Sequence, residues 1–245
     1  MNSVLITGAN RSIGLETVKQ ISKKGLFVYL GSRDLEKGKT AVKELNEQGF
    51  ENIQAIEIDV TSHDSILAAK QVIEREQGKL DILINNAGIL GANPQQASNT
   101  PIENIREIFD TNFFGVINVT QVFLELLKKS KSPRISNITS GLASLTLHNI
   151  PDWKYYGIKT AGYGTSKAAL NAYTIALAHE LKELSFKVNV IDPGYTATDF
   201  NHHSGPLTVE SAASFIVKHT LTDENAPTGK FFSNDIEDET EESPW

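Results

Sequence analysis

Two side chains with complementary acid-base chemistry, Tyr163 and Lys167, lie four residues apart. They belong to the stretch Gly162-Tyr163-Gly164-Thr165-Ser166-Lys167, which opens a helical pattern running from Ala168 to Leu184. At this spacing both side chains lie on one face of a helix. A phenol loses its proton at about pH 10, and a neighbouring ammonium favours the phenolate. The pair is suited to proton transfer with a carbonyl or an alcohol, although an ordinary surface helix can carry the same spacing.

Composition narrows the classes of function. The net charge is −7, with 23 basic and 30 acidic residues, so a nucleic-acid partner has no electrostatic support. The absence of cysteine excludes disulfides, thiolate metal sites and a thiol nucleophile. His202-His203 lacks a third ligand at helical spacing, so we expect no metal site. No apolar run approaches the ~20 residues of a membrane helix, and the first strand leaves no room for a signal peptide. We therefore expect a cytoplasmic protein.

Apolar runs alternate with helical patterns along most of the chain, which predicts an α/β fold with a parallel sheet. Ser62 or Asp64 is expected to cap the third helix, and Thr100 with Glu103 forms a capping box at the next one. The helical pattern after that box continues to Leu127 and is interrupted by Asn112. The predicted strands are Val4–Ile6, Leu26–Leu30, Ile53–Ile58, Leu80–Ile84, Arg134–Thr139 and Phe186–Ile191.

Each predicted strand ends at or just before a residue suited to a turn or to ligand binding: glycine, proline, or a side chain with an amide, a hydroxyl or a charge. These residues are Gly8, Arg33, Asp59, Asn85, Ser140 and Pro193. In an open doubly wound sheet, ligands bind at the edge formed by the carboxyl ends of the strands. The turn from Thr7 to Gly14 also leads directly into a helix, where backbone N–H groups and the helix dipole attract phosphate. The alternative for this turn is a tight strand-helix connection without a ligand.

Taken together, these motifs resemble the short-chain dehydrogenase/reductase family, in its compact, single-domain, carbonyl-reductase-like form. The similarity extends from Val4 to about Phe232 and implies a Rossmann-type doubly wound sheet of about seven strands with helices on both faces. The last strand is expected near Lys230 to Ser233, within one domain at 1–233. An acidic segment at 234–245 is expected to form a mobile tail.

The resemblance implies a role for each of four catalytic residues. Tyr163 would donate a proton to a ketone oxygen, and Lys167 would lower the pKa of the phenol and hold the nicotinamide ribose. Ser140, rather than the preceding Thr139, would bond and polarise the substrate oxygen. Asn112 would hold a water that links Lys167 to solvent, although a polar residue inside a helix can also mark a simple kink.

The resemblance also implies a set of dinucleotide-binding residues. The glycine turn would face the pyrophosphate, the ends of the third and fourth strands the adenosine, and the loop after the sixth strand the nicotinamide amide. The residues are Gly8, Asn10, Arg11, Ser12, Ile13, Gly14, Ser32, Arg33, Asp59, Val60, Asn85, Ala87, Gly88, Tyr163, Lys167, Pro193, Gly194, Thr196 and Thr198.

Two features depart from the family pattern. Ser12 occupies a position where glycine is usual, and serine adopts the required backbone conformation less readily. Ser140 and Tyr163 are 23 residues apart, which indicates an insertion around 143–160 that contains Pro151, Trp153, Tyr155 and Tyr156. We expect the insertion to form a pocket wall for bulky or apolar substrates; the alternative is a surface loop away from the site.

The end of the second strand indicates which nicotinamide is bound. An acid there would favour NAD, whereas an arginine accommodates the 2′-phosphate of NADP. The strand ends Gly31-Ser32-Arg33, Asp34 comes one place too late, and Arg11 can add a second positive charge. We therefore expect NADP(H) to be preferred over NAD(H). The physiology of the NADP pool then favours reduction of ketones or aldehydes.

Two alternatives remain at this point. One is an NAD-dependent alcohol dehydrogenase of the same family, and the other is a nucleotide-sensing Rossmann protein without catalysis. Family members commonly pair subunits through the two helices that here span Gly115–Leu127 and Ala168–Leu181. Their apolar residues exceed the need of a core face, so a homodimer or homotetramer is expected. These residues are Val116, Val119, Phe123, Ala172, Ile175 and Ala176.

Overall fold

A seven-stranded parallel sheet forms the centre of the protein in a computed structural model, which describes residues 2–245. The strand order is β3-β2-β1-β4-β5-β6-β7, and every neighbouring pair is parallel. This confirms the predicted α/β, Rossmann-type doubly wound fold. The strands are β1 (Ser3–Ile6), β2 (Phe27–Ser32), β3 (Ile53–Glu57), β4 (Ile82–Asn85), β5 (Arg134–Ile138), β6 (Lys187–Asp192) and β7 (Phe231–Ser233).

Helices cover both faces of the sheet. They are α1 (Ser12–Lys23), α2 (Leu35–Glu47), α3 (His63–Gln77), α4 (Ile102–Phe109), α5 (Gly115–Leu127), α6 (Tyr163–Glu180) and α7 (Val209–Thr220). Their N-termini follow local capping chemistry, because Asp34 accepts from the Lys37 N–H and Ser62 from the Ser65 N–H. Of the two predicted caps for α3, Ser62 is the one that forms.

Alternate residues of the central strands enter two separate apolar cores. Leu5 of β1 lies with residues of α3, α5 and α6 on one face, whereas Val4 and Ile6 lie with residues of α1, α2 and α7 on the other. This is the period-two alternation of a strand buried on both sides. The two cores fix the sheet, and with it the edge where the strands end.

One prediction about local structure was wrong. Thr100 does not cap α4, because its hydroxyl donates to the Gln96 carbonyl and no side-chain cap bond forms at the helix start. The predicted interruption at Asn112 of the helical pattern to Leu127 is confirmed. A π-helical turn at Asp110–Phe114 joins α4 to α5 and contains Asn112. Such single turns occur often at functional sites.

The C-terminal segment packs against the domain, which differs from the mobile tail predicted from its acidity. Ser233 N–H donates to Glu241 O and Ser243 N–H to Phe231 O, so the segment pairs back on β7. The Trp245 ring lies 5.6 Å from the Phe231 ring. Lysines on the surrounding surface neutralise its carboxylates, as between Lys218 and Glu241 at 2.6 Å. Repulsion among the acids is therefore offset locally.

The apolar residues that were predicted to pair subunits on α5 and α6 include both buried and exposed side chains. Val116, Val119 and Phe123 are all buried inside the chain, so they belong to its own core. Ile175 of α6 is 44% exposed and Phe114 is 54% exposed. Within residues 2–245, no helix combines the length and apolar character needed to cross a membrane.

Candidate active site

A cleft of about 820 Å³ runs along the carboxyl ends of the strands. With one exception, the structure brings the predicted dinucleotide-binding residues to its walls. Those lining it are Gly8, Asn10, Arg11, Ser12, Ile13, Gly14, Ser32, Arg33, Asp59, Val60, Ala87, Gly88, Tyr163, Lys167, Pro193, Gly194, Thr196 and Thr198.

The exception is Asn85, whose side chain points behind the cleft. It is 2% exposed and donates to the Thr120 hydroxyl and the Asn137 amide oxygen. The next residue, Asn86, takes the position at the cleft and donates to the carbonyls of Thr7 and Gly8. The sequence analysis expected Asn85 at the cleft, but adjacent residues at a strand end point to opposite sides of the sheet, so Asn86 lines the cleft instead.

The glycine turn leaves no room for side chains beneath it. A Cβ on Gly8, where φ is +62°, would lie 2.8 Å from Ala87 Cα, and one on Gly14 would lie 2.6 Å from the Asn86 amide nitrogen. The turn is therefore held close to the fourth strand end, with its concave side open to the cleft. This cradle at the start of α1 fits the pyrophosphate of a dinucleotide.

Ser12 carries backbone strain in this turn, because its φ is +53°. An L-residue in this left-handed region costs about 1–2 kcal/mol, whereas glycine adopts it freely at some cost in unfolded-state entropy. We expect Ser12→Gly to raise the free energy of unfolding by about 0.5–1 kcal/mol in urea titrations. Ser211→Gly in α7 is the control and should lower it. A lower free energy of unfolding in Ser12→Gly than in wild type would contradict the conclusion that Ser12 is strained.

Positive charge lies at the adenosine end of the cleft. Arg11 and Arg33 are both exposed there, and neither forms an ion pair within residues 2–245. The buried Ser32 hydroxyl donates to the Asp34 carbonyl. Asp34 itself caps α2. The guanidinium groups of Arg11 and Arg33, together with Lys37, give this end of the cleft positive charge that matches a phosphate.

Tyr163 is the first residue of α6, and Lys167 follows one turn later with its side chain buried. The Lys167 ammonium donates to the Ile138 carbonyl at 2.7 Å and lies 6.0 Å from the centroid of the Tyr163 ring. The end of β5 therefore anchors the lysine beside the phenol. Both side chains line the cleft, as the four-residue spacing predicted.

The electrostatics of the pair differ from the expected lowering of the phenol pKa by the ammonium. Burial raises the pKa of Tyr163, the Asp192 carboxylate raises it further, and a hydrogen bond with Ser140 offsets part of the rise. Burial lowers the pKa of Lys167 to about 8, against a smaller opposing effect of Asp192. Loss of water thus outweighs the mutual effect of the two groups. Tyr163 is protonated at neutral pH, and most Lys167 side chains are charged.

Ser140 and Thr139 have different surroundings at the end of β5. The Thr139 hydroxyl is buried and donates to the Asn171 amide oxygen, away from the cleft reaction centre. Ser140 faces Tyr163, and its hydroxyl also accepts from the Leu142 N–H. Of the two neighbouring hydroxyls, Ser140 is the one that meets the phenol.

Asn112 lies behind the reaction centre and does not line the cleft. Its amide is fully buried and bonds both the N–H and the carbonyl of Ile89, at 2.8 and 2.9 Å. It also donates to the Ser166 hydroxyl at 3.1 Å. The π turn thereby ties the loop after β4 to α6, the helix that carries Tyr163 and Lys167.

Asp192 is a buried carboxylate beside the catalytic pair that the sequence analysis did not single out. It accepts from the Ser233 hydroxyl at 2.6 Å and from the Gly194 N–H at 3.0 Å. Burial and the nearby Asp235 raise the pKa of Asp192 to about 6, although these hydrogen bonds oppose the rise. The residue type of Asp192 gave no signal in the sequence. Its environment is formed by distant segments, β7 and the turn after Ser140, which contact it only in the folded protein.

Aromatic rings line the remaining side of the cleft. The Tyr163 ring packs edge to face against Phe200 at 5.7 Å, and Tyr155 of the insertion packs against Tyr195 at 5.9 Å. Tyr155 bonds the Asp235 carboxylate, which pairs with Lys154 at 2.9 Å. The insertion thus lies against the C-terminal segment and contributes an aromatic wall.

The chain is similar to known proteins along most of its length. The sequence profile described as short chain dehydrogenase matches residues 2–206. The (-)-isopiperitenone reductase of Mentha piperita is 33% identical, with 94% of this chain and 96% of that protein covered.

Solved structures agree with this match. The structure of salutaridine reductase from Papaver somniferum superposes with a TM-score of 0.83 at 30% identity, covering 96% of this chain and 100% of the other. The NADPH-bound carbonyl reductase from chicken fatty liver gives a TM-score of 0.80 at 28% identity, with 95% and 96% covered. The protein is accordingly an oxidoreductase that belongs to the short-chain dehydrogenase family.

Proposed function

We propose that the protein is an NADPH-dependent carbonyl reductase that converts ketones or aldehydes to alcohols. The observation that carries this proposal is the convergence of a protonated phenol, a serine hydroxyl and a lysine ammonium in one cleft with a glycine-turn phosphate cradle. A reduced nicotinamide, when bound, supplies the hydride that a carbonyl carbon accepts. The carbonyl reductase whose NADPH-bound structure superposes on this chain supports the direction.

The chain's own groups handle the substrate oxygen. The Ser140 hydroxyl donates a hydrogen bond to it and draws charge away from the carbonyl carbon. The Tyr163 hydroxyl, protonated at neutral pH, gives its proton to the same oxygen as negative charge develops there. The nearby Lys167 ammonium then stabilises the phenolate that remains. The Phe200 ring packs against the phenol beside this step.

We further propose that Arg33, with Arg11, recognises the 2′-phosphate of NADPH. A charge-assisted hydrogen bond contributes about 1.5–3 kcal/mol, so Arg33→Ala is expected to lower kcat/KM with NADPH by about 10–100-fold. The value with NADH should change by less than about two-fold. Steady-state kinetics with both cofactors measures this. Arg75→Ala, at an exposed arginine on α3, is the control and should leave both values unchanged. Equal losses with NADPH and NADH would contradict the phosphate contact.

The aromatic wall favours bulky, apolar carbonyl compounds as substrates. Tyr155, Tyr195 and Phe200 contribute rings around the catalytic phenol, and Ile158 of the insertion adds an aliphatic side chain. NADPH oxidation across a panel of ketones and aldehydes of increasing size tests the function and the substrate class together. Turnover of cyclic or aryl ketones above that of small aliphatic ones is expected; no NADPH oxidation with any carbonyl compound would reject the function.

We also propose that two protomers associate through the outer surface of α5 and α6. Phe114 and Ile175 are exposed there, with Ile102 on the adjoining helix 52% exposed. Burial of such side chains favours association by about 25 cal/mol per Å² of apolar surface. Sedimentation or light scattering is expected to give a dimer or tetramer, and Ile175→Glu is expected to shift the protein towards monomer.

A further inference from the structure

We propose that Gln95, in the loop after β4, is a positioning residue that sets the place of the Tyr163 hydroxyl. This inference rests on the proposed function for its catalytic readout, but its structural basis is independent. Gln95 is 3% exposed and does not line the cleft, so it does not touch substrate or cofactor. It acts on the catalytic phenol through the first turn of α6.

The Gln95 amide uses its oxygen and its nitrogen to bridge two segments of the chain. Its oxygen accepts from the N–H groups of Gly162 and Tyr163, at 3.1 and 2.7 Å. Its nitrogen donates to the Leu90 carbonyl at 2.7 Å. Its backbone carbonyl also accepts from the Ala161 N–H at 3.0 Å. Three of these hydrogen bonds hold Gln95 to the residues at the start of α6, and the fourth holds its amide within the loop after β4.

The start of α6 needs such a partner. The first N–H groups of a helix have no acceptor within the helix, and Gly162 has no side chain with which to cap them. The Thr160 hydroxyl accepts from the Gly164 N–H, which leaves the two preceding N–H groups to Gln95. Without the Gln95 oxygen, the backbone N–H of Tyr163 would lose its acceptor in a partly buried place.

Packing leaves little alternative space for this amide. A Cβ on Gly162 would lie 3.0 Å from the Gln95 amide oxygen and 2.5 Å from the Ile108 side chain. A Cβ on Gly91 would lie 2.4 Å from the same isoleucine, which is fully buried. Both glycines thus make room for Ile108 and Gln95 between α4 and α6. The Tyr163 backbone is fixed from the side opposite the cleft.

Loss of this bridge should displace the phenol more than it disturbs cofactor binding. The glycine turn and the arginines bind through other elements, whereas Tyr163 is the residue whose own N–H is capped. A misplacement of about 1 Å can lower a rate by 10²-fold. We therefore expect Gln95→Ala to lower kcat by about 10–100-fold while KM for NADPH stays within about two-fold.

The experiment compares three variants in the full chain. Gln95→Ala removes both ends of the amide, whereas Gln95→Glu keeps an acceptor for the two N–H groups, and negative charge at a helix N-terminus is favourable. Asn189→Ala is the matched control, because Asn189 is also 3% exposed and bridges the Pro227 carbonyl and the Lys230 N–H. Should Gln95→Ala fail to fold, Gln95→Met keeps the bulk without the polar groups.

Two readouts separate positioning from general stability. Amide hydrogen exchange at Gly162 and Tyr163, measured by NMR, should accelerate at least ten-fold in Gln95→Ala relative to the other α6 amides and remain slow in Gln95→Glu. In kinetics, Gln95→Glu should recover most of the lost kcat, and Asn189→Ala should retain wild-type kcat. Equal kcat losses in Gln95→Ala and Asn189→Ala, or unchanged exchange in Gln95→Ala, would overturn the proposal. A wild-type protein that reduces no carbonyl compound would reject the proposed function alone, since the exchange readout needs no turnover.

Discussion

Tyr163→Phe is expected to lower kcat for NADPH-dependent carbonyl reduction by about 10²–10⁴-fold, the usual contribution of a general acid. Phenylalanine keeps the edge-to-face contact with Phe200 but has no proton to give to the substrate oxygen. It also loses the hydrogen bond with Ser140. Single-turnover NADPH oxidation measures the chemical step, and fluorescence titration measures cofactor affinity, which should remain within about two-fold.

The matched control for this prediction is Tyr155→Phe. Tyr155 lines the same cleft, and its hydroxyl bonds the Asp235 carboxylate rather than facing Ser140. Its loss should change kcat by less than about ten-fold, the scale of one ordinary hydrogen bond. Near-normal turnover in Tyr163→Phe would remove the phenol from its proposed role, whatever the control does.

Lys167→Met is expected to have the second-largest effect on turnover, a loss of about 10²–10³-fold, comparable with removal of one preorganised donor. Methionine retains the length and the apolar stem but leaves the phenolate of Tyr163 without a neighbouring cation. Because the two side chains act together, the Tyr163→Phe/Lys167→Met double variant should be little slower than Tyr163→Phe alone. Multiplicative losses would indicate independent roles.

The pKa of Lys167 also predicts how stability depends on pH. It is about 8 in the folded protein and 10.5 without perturbation, so the unfolded chain binds more protons between these values. The cost of burying the ammonium is present below pH 8 and is relieved as pH rises towards 10.5. Urea titrations from pH 7 to 10 should show wild type gaining about 2–3 kcal/mol relative to Lys167→Met. A difference in the free energy of unfolding between the two proteins that stays constant with pH would contradict the burial of the Lys167 ammonium.

The fold was predictable because its signals are local. Buried strands appear as short apolar runs, and Ser62 caps α3 through its own next turn. The residues that end the strands met at one edge, since parallel strands place their carboxyl ends together. Spacing alone sufficed for Tyr163 and Lys167, which share one helix.

What the sequence did not reveal depends on contacts between distant segments. The Gln95 bridge joins residues 67 and 68 positions apart, and no pattern around Pro94 marks it. The acidic C-terminal segment was predicted to be mobile from its charge, but Lys218, Lys230 and Lys154 supply its counter-charges from other parts of the chain. Lys167 was expected to lower the phenol pKa, whereas burial raises it, and burial is a property of the assembled structure.

The π-helical turn at Asp110–Phe114 has a consequence for the angular phase of the helices on either side. Each residue of an α-helix advances the chain by about 100°, so a turn that holds an additional residue rotates everything beyond it by that amount. With this offset Ile108 points to α6 while Val119 and Phe123 point to the sheet. Deleting one residue from the turn would rotate α5 so that its buried apolar residues no longer face the sheet. The additional residue of the π turn therefore determines how α5 packs on the sheet.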